Sequence, residues 1–169
     1  SAYAMLTAGF GYDRYGGVVH VIPNAGVVAL ALLYSGGDFA RGIRIATNAG
    51  WDTDCNAGNV GAILGTAVGL DGIGSHWRAA MNDELVAASL AGSRNLWSIP
   101  ACADALARVG ARIIGAPEPP ALPRYHFDYP GSLQGFTAQA RLAEVLDVRH
   151  VPAEGAVGRG ALQATIRDL

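Results

Sequence analysis

A chain of 169 residues, 51% hydrophobic and only 15% charged, is long enough to bury a sizeable core and too apolar for disorder. A formal net charge of -2 offers no basic field to a nucleic acid. All 12 Lys+Arg positions are Arg, so neither a Walker phosphate loop nor a lysine Schiff base can be built from this chain.

Residues 1–115 read as helical, and the 23 glycines with a still larger number of alanines suit close helix–helix approach. Val27 to Tyr34 forms an apolar stretch introduced by Pro23-Asn24, with Asn24 as its expected cap, and Gly36-Gly37 stop it. Asp38 opens Phe39 to Ala49, where Phe39, Ile43 and Ala46 recur at helical spacing. Asn56 to Leu70 is a third predicted helix. Its Gly61, Gly65 and Gly69 recur every four residues, at a cost of about 1 kcal/mol each relative to Ala, so the stripe implies a helix packed close against it. Two more helices are expected near Met81 to Leu90 and Ile99 to Ile114, the latter with Pro100 near its start.

Four prolines in the seven residues Pro117 to Pro123 stop the helical pattern and predict a stiff connector. Beyond it, Leu142 to Val151 and Ala161 to Ile166 alternate as strands do, with Gly155, Gly158 and Gly160 as a hairpin connection. The predicted organisation is a helical region over 1–116, a proline-rich linker over 117–123 and the start of a β-rich region over 124–169. The fold class is mainly α with a short β-rich C-terminal segment. No secretory leader is legible, and the uncharged runs Val18 to Gly37 and Cys55 to Leu70 are too broken or too short to span a membrane. Cys55 and Cys102 are too few for a disulfide framework, which points to reduced thiols in a cytoplasmic protein.

The segment that carries chemistry is Gly50-Trp51-Asp52-Thr53-Asp54-Cys55-Asn56-Ala57-Gly58. Two carboxylates one residue apart diverge by about 200° within a helix, because each residue turns it by about 100°. They converge if Asp52 lies in the preceding loop and Asp54 in the first turn. Clustered carboxylate oxygens are what hard cations such as Mg²⁺ or Mn²⁺ require. An Asp at a helix start is also a common cap, a purely structural use. An EF-hand loop fails here: Ala57 replaces its obligatory Gly and Ile63 its bidentate Glu. A phosphatase-type Asp-x-Asp would follow a buried strand, whereas Thr47-Asn48-Ala49-Gly50 is a helix exit.

This motif, followed by a Gly/Ala-rich helix, resembles the C-terminal metal motif of the ADP-ribosylglycohydrolase family, Gly-x-Asp-Thr-Asp-(Thr/Ser)-x-Ala. The preceding His20-Val21-Ile22-Pro23-Asn24 is similar to the bacterial branch, and the resemblance covers about residues 15–115. It implies part of an orthogonal all-helical bundle, a binuclear Mg²⁺ or Mn²⁺ site, and hydrolysis of a bond at the ribose anomeric carbon of ADP-ribose or an ADP-ribosylated substrate. By position, Asp52 and Asp54 would be metal ligands. Cys55 stands where the family has a Thr or Ser hydroxyl, and a thiol is a poor ligand for Mg²⁺.

The family's second acidic cluster has no match before Gly50, where only Asp13 and Asp38 occur. Together with a start at Ser1, this predicts a fragment that lacks the N-terminal half of the same polypeptide and is inactive alone. The alternative is a non-catalytic relative that binds ADP-ribose or serves as structure. His20 and Asn56 are candidate substrate contacts; His20 is otherwise a structural histidine, and Asn56 is also a candidate donor that orients a carboxylate. Trp51 is expected in the core rather than stacked on a base. The cluster Tyr125 to Gly131 is expected to plug a domain junction rather than stack on a sugar.

Overall fold

The computed structural model describes residues 1–90, 92–153 and 160–167. Among them are six α-helices and two two-stranded antiparallel sheets, in agreement with a mainly α fold carrying a short β segment. The chain divides into two compact units, Ser1–Gly74 and Ser75–Leu169.

The first unit is built from α1 (Ala2–Phe10), α2 (Val21–Ser35), α3 (Phe39–Asn48) and α4 (Thr53–Gly72). Asp38 caps α3, its carboxylate accepting from Arg41 N–H at 2.6 Å, and Gly36 ends α2 in the left-handed conformation. The core is made of small side chains: Val27 and Ala31 from α2, Ala46 from α3, Val60 and Leu64 from α4, with Ala49 just past α3. Phe39, Ile45, Trp51 and Leu6 close over it. Tyr3 ties α1 to the end of α3 by donating to Ala49 O at 2.6 Å.

The glycines explain why such small residues suffice. A methyl on Gly42 would run into Leu64 and stand 3.1 Å from Val60 Cγ1; one on Gly61 would stand 3.1 Å from Ile43 Cδ1. Gly65 likewise faces Phe39, so the partner of the glycine stripe is α3 of this same chain. Gly69 is not part of that packing: at φ 67° and ψ -175° it kinks α4 instead.

One predicted helix start moves and one predicted helix is missing. α2 begins at Val21, six residues before the expected start, and its cap is His20, whose Nδ1 accepts from Ile22 N–H at 3.2 Å. Asn24 is therefore a buried residue inside the helix, not its cap. The predicted helix over Met81 to Leu90 is absent. Asn82 and Asp83 adopt φ 47° and 59°, which no helix continues through. Asp83 is held there because its carboxylate accepts from Ser132 Oγ at 2.7 Å and Gln134 N–H at 2.9 Å, partners about fifty residues away. Its carbonyl accepts from Ile99 N–H at 2.7 Å.

In the second unit a short helix, α5 (Ser75–Ala79), precedes β1 (Glu84–Val86), which pairs with β2 (Leu96–Ser98) so that Leu85 lies opposite Trp97. α6 (Ile99–Ile113) follows, with Ser98 as its cap and Pro100 in its first turn. The proline run has no regular structure. Glu118 within it pairs with Arg108 at 3.3 Å and Arg112 at 3.2 Å, laying the segment back along α6. The rings of 125–136 engage one another: Tyr125 and Phe127 meet Phe136, and Tyr129 meets His126 edge-on at 5.2 Å. β3 (Leu146–Pro152) and β4 (Gly160–Ile166) form the expected hairpin in the register Leu146 to Ile166 and Pro152 to Gly160. Gly155 and Gly158 of its expected connection lie outside the described residues.

Candidate active site

Asp52 is the N-cap residue of α4, with φ -83° and ψ 71°, and its side chain makes no capping bond to the helix. Its carboxyl instead meets the Asp54 and Cys55 side chains, and Asp54 falls in the first helical turn, where negative charge is favoured by the helix dipole. The loop-plus-first-turn arrangement brings both carboxylates together. One ligand atom each of Asp52, Asp54 and Cys55 lie within 4.8 Å of one another, Asp52 half-buried and the other two exposed.

The tight approach to this turn is made by Gly50 at φ 84° and Trp51 at φ 42°. A left-handed tryptophan costs on the order of 1 kcal/mol or more. The conformation persists because the indole is pinned: it packs against the core, with Tyr12 edge-on to it at 5.3 Å and Tyr3 at 6.3 Å. Trp51 thus packs rather than presenting a free stacking face.

A cleft of about 290 Å³ is lined by His20, Asn24, Asp52, Cys55, Asn56 and Asn59 together with apolar residues of α2. All the sequence-derived candidates except exposed Asp54 border it, and Asp54 adjoins it through the cluster with Asp52 and Cys55. His20 caps α2 through Nδ1, which places the proton of the neutral ring on Nε2. Asn56, 2% exposed, donates its side-chain N–H to Asn24 Oδ1 at 2.8 Å and not to a carboxylate. Asn24, expected as a helix cap, joins these residues as a buried bridge instead, and Tyr12 joins them without any motif to announce it. The Tyr12 hydroxyl accepts from Asn24 Nδ2 at 2.7 Å and from His20 N–H at 3.2 Å. Nothing in the amino-acid sequence signals that a tyrosine twelve residues before Asn24 would meet it.

A hydrogen bond with the Asp52 side chain, then the backbone N–H groups of Cys55 and Asp54 itself, hold the Asp54 carboxyl below its ordinary range. The opposite holds next door: a hydrogen bond to Asp52, then the charges of Asp52 and Asp54, push the Cys55 thiol up. Cys55 is therefore a neutral thiol near pH 7. The donor chemistry of Asp52 and Asp54 fits a hard divalent cation; the protonated soft donor at Cys55 does not suit Mg²⁺.

A family model for ADP-ribosylglycohydrolase matches residues 2–111, more than half of the chain. The chain belongs to the ADP-ribosylglycohydrolase family. No curated protein and no solved structure matches it. At family level this supports hydrolysis of ADP-ribose linkages, and the matched residues include the cluster of Asp52, Asp54 and Cys55. Among the described residues no helix is long and apolar enough to cross a membrane.

Proposed function

We propose that this chain supplies one wall of a metal-dependent ADP-ribosyl hydrolase, with Asp52 and Asp54 as metal ligands and His20 as a substrate contact. The observation that carries the reading is the convergence of the Asp52, Asp54 and Cys55 donor atoms, beside a cleft bordered by His20 and Asn56, in a chain of this family. When bound, Mg²⁺ or Mn²⁺ would polarise the ribose hydroxyls and activate a water for attack at the anomeric carbon. The chain's own contribution is to present two carboxyl groups on one side of the cleft, with Asp54 held ionised by its hydrogen bonds. His20 Nε2–H is suited to donate to a substrate oxygen.

Two carboxylates fill too few positions of a six-coordinate ion. The reading therefore assigns further ligands to a second acidic cluster elsewhere in the polypeptide, and holds residues 1–116 as the hydrolase region, with 117–123 as linker and 124–169 as the start of a β-rich region. The likeness of His20 to Asn24 to the bacterial branch and the two free thiols support a cytoplasmic setting. The substrate is ADP-ribose carried on an N- or O-glycosidic linkage.

Metal-dependent release of ADP-ribose by the full-length gene product is the test. Asp54→Ala should lower it by about a hundredfold or more, the upper end of what losing an outer-shell partner costs a metal site. Release that needs no metal, or that survives Asp54→Ala, would overturn the reading. Cys55 in place of a hydroxyl favours one second reading, a relative that binds ADP-ribose without cutting. Its signature is saturable ADP-ribose binding with no turnover under either Mg²⁺ or Mn²⁺.

A further inference from the structure

The Asn24 amide is 7% exposed, and every one of its hydrogen-bonding positions is used. Oδ1 accepts from the Asp52 backbone N–H at 3.3 Å and from Asn56 Nδ2 at 2.8 Å. Nδ2 donates to Tyr12 Oη at 2.7 Å and to His20 O at 2.8 Å. Asp52 is thereby gripped from both sides, since its own carbonyl accepts from Asn56 N–H at 2.9 Å. Tyr12 secures the same loop a second way, through its edge-on contact with Trp51, the left-handed residue immediately before Asp52.

A polar bridge between α2 and α4 could serve stability alone. The bonds here go beyond that. One of them ends on the backbone N–H of the loop residue whose carboxylate makes no capping bond, and another holds Asn56, whose own backbone N–H bonds to that residue's carbonyl. Fixing Asp52 N–H and C=O fixes its φ and ψ, and with them the direction in which the carboxylate leaves the chain.

We propose that Asn24 and Tyr12 are positioning residues that set the orientation of Asp52 in the cleft and so the affinity of the cluster for a divalent cation. The inference rests on the metal reading above, and its test separates the two. The 169-residue chain, with Asn24→Ala and Tyr12→Phe, is titrated with Mn²⁺ by the loss of the free-ion electron paramagnetic resonance signal. Hydrogen exchange of the Asp52 backbone amide is followed by NMR without metal, and thermal melts report folding. Asn59→Ala, an exposed residue of the same cleft, is the control.

Both variants should weaken Mn²⁺ binding by about tenfold and speed exchange at Asp52, and Asn59→Ala should change neither. A purely structural role would lower the melting temperature and leave the Mn²⁺ affinity of the folded protein unchanged; that result overturns the proposal. Should Asn24→Ala fail to fold, Tyr12→Phe decides, because its ring still covers Trp51 and only the hydroxyl is lost. Wild-type chain that lacks even the weak Mn²⁺ binding expected of two carboxylates would overturn the metal reading instead. The exchange rate at Asp52 then decides the positioning role: acceleration in the variants upholds it, and no change refutes it.

Discussion

Cys55 shows how neighbours decide what a side chain can do. Asp52 accepts its hydrogen bond, and two adjacent negative charges oppose formation of a thiolate. Because the pKa is raised, the reactive thiolate fraction near pH 8 is smaller than for an unstructured cysteine. Alkylation by iodoacetamide at that pH should therefore be slower in the folded chain than in the urea-unfolded one, and Asp52→Asn should accelerate it by removing both the acceptor charge and its field. Mass spectrometry of the Cys55 peptide measures this directly. Rates that are equal in the folded and unfolded chains would contradict the geometry. At the same scale, the Asp52 and Asp54 pairing was legible from their spacing, since only a loop-to-helix junction lets them converge. Asn24 was legible only as a polar residue near a helix start. Its actual role depends on Tyr12 and Asn56, which lie 12 and 32 residues away.

Among the helices, glycine has two opposite uses that the row does not distinguish. Gly58 lies exposed in α4, and a methyl added there meets nothing within 4 Å. Gly58→Ala should stabilise the chain by about 0.5–1 kcal/mol through helix propensity. Gly42 is buried in α3, where the same methyl is forced against Leu64 and Val60. Gly42→Ala should destabilise by about 1–3 kcal/mol because overpacking outweighs the propensity gain. Urea unfolding of the two variants checks the pair, and two shifts of the same sign would show that the α3–α4 approach is looser than described. The periodicity of α3 and the stop at Gly36 were readable because both are local. The strand at Glu84–Val86 was not, because the left-handed turn at Asn82-Asp83 is held by Ser132 and Gln134. A helical reading of Met81 to Leu90 contains no trace of those partners.

For the molecule as a whole, the ligand count is the quantity that bears on activity. Calorimetric titration of the 169-residue chain with Mg²⁺ should show no pair of tight sites, since the described donor cluster offers two carboxylates and a protonated thiol. Two tight sites would refute the need for a second acidic cluster. The family match, residues 2–111, takes in the whole four-helix unit of Ser1–Gly74 and reaches through most of α6.

By itself the sequence determined the helical class, the β-hairpin near its end, the convergence of Asp52 and Asp54 at a helix start and the family it belongs to. Each of these is written in local spacing, in residues that act on neighbours a few positions away. The tertiary structure alone decided that α3 fills the glycine stripe and that Gly69 breaks α4. It alone decided that His20 caps α2 and that one buried amide, Asn24, ties Tyr12, His20, Asp52 and Asn56 into a single hydrogen-bonded network. Those outcomes rest on which buried polar groups find partners across the fold, and a buried hydrogen bond has no period along the chain.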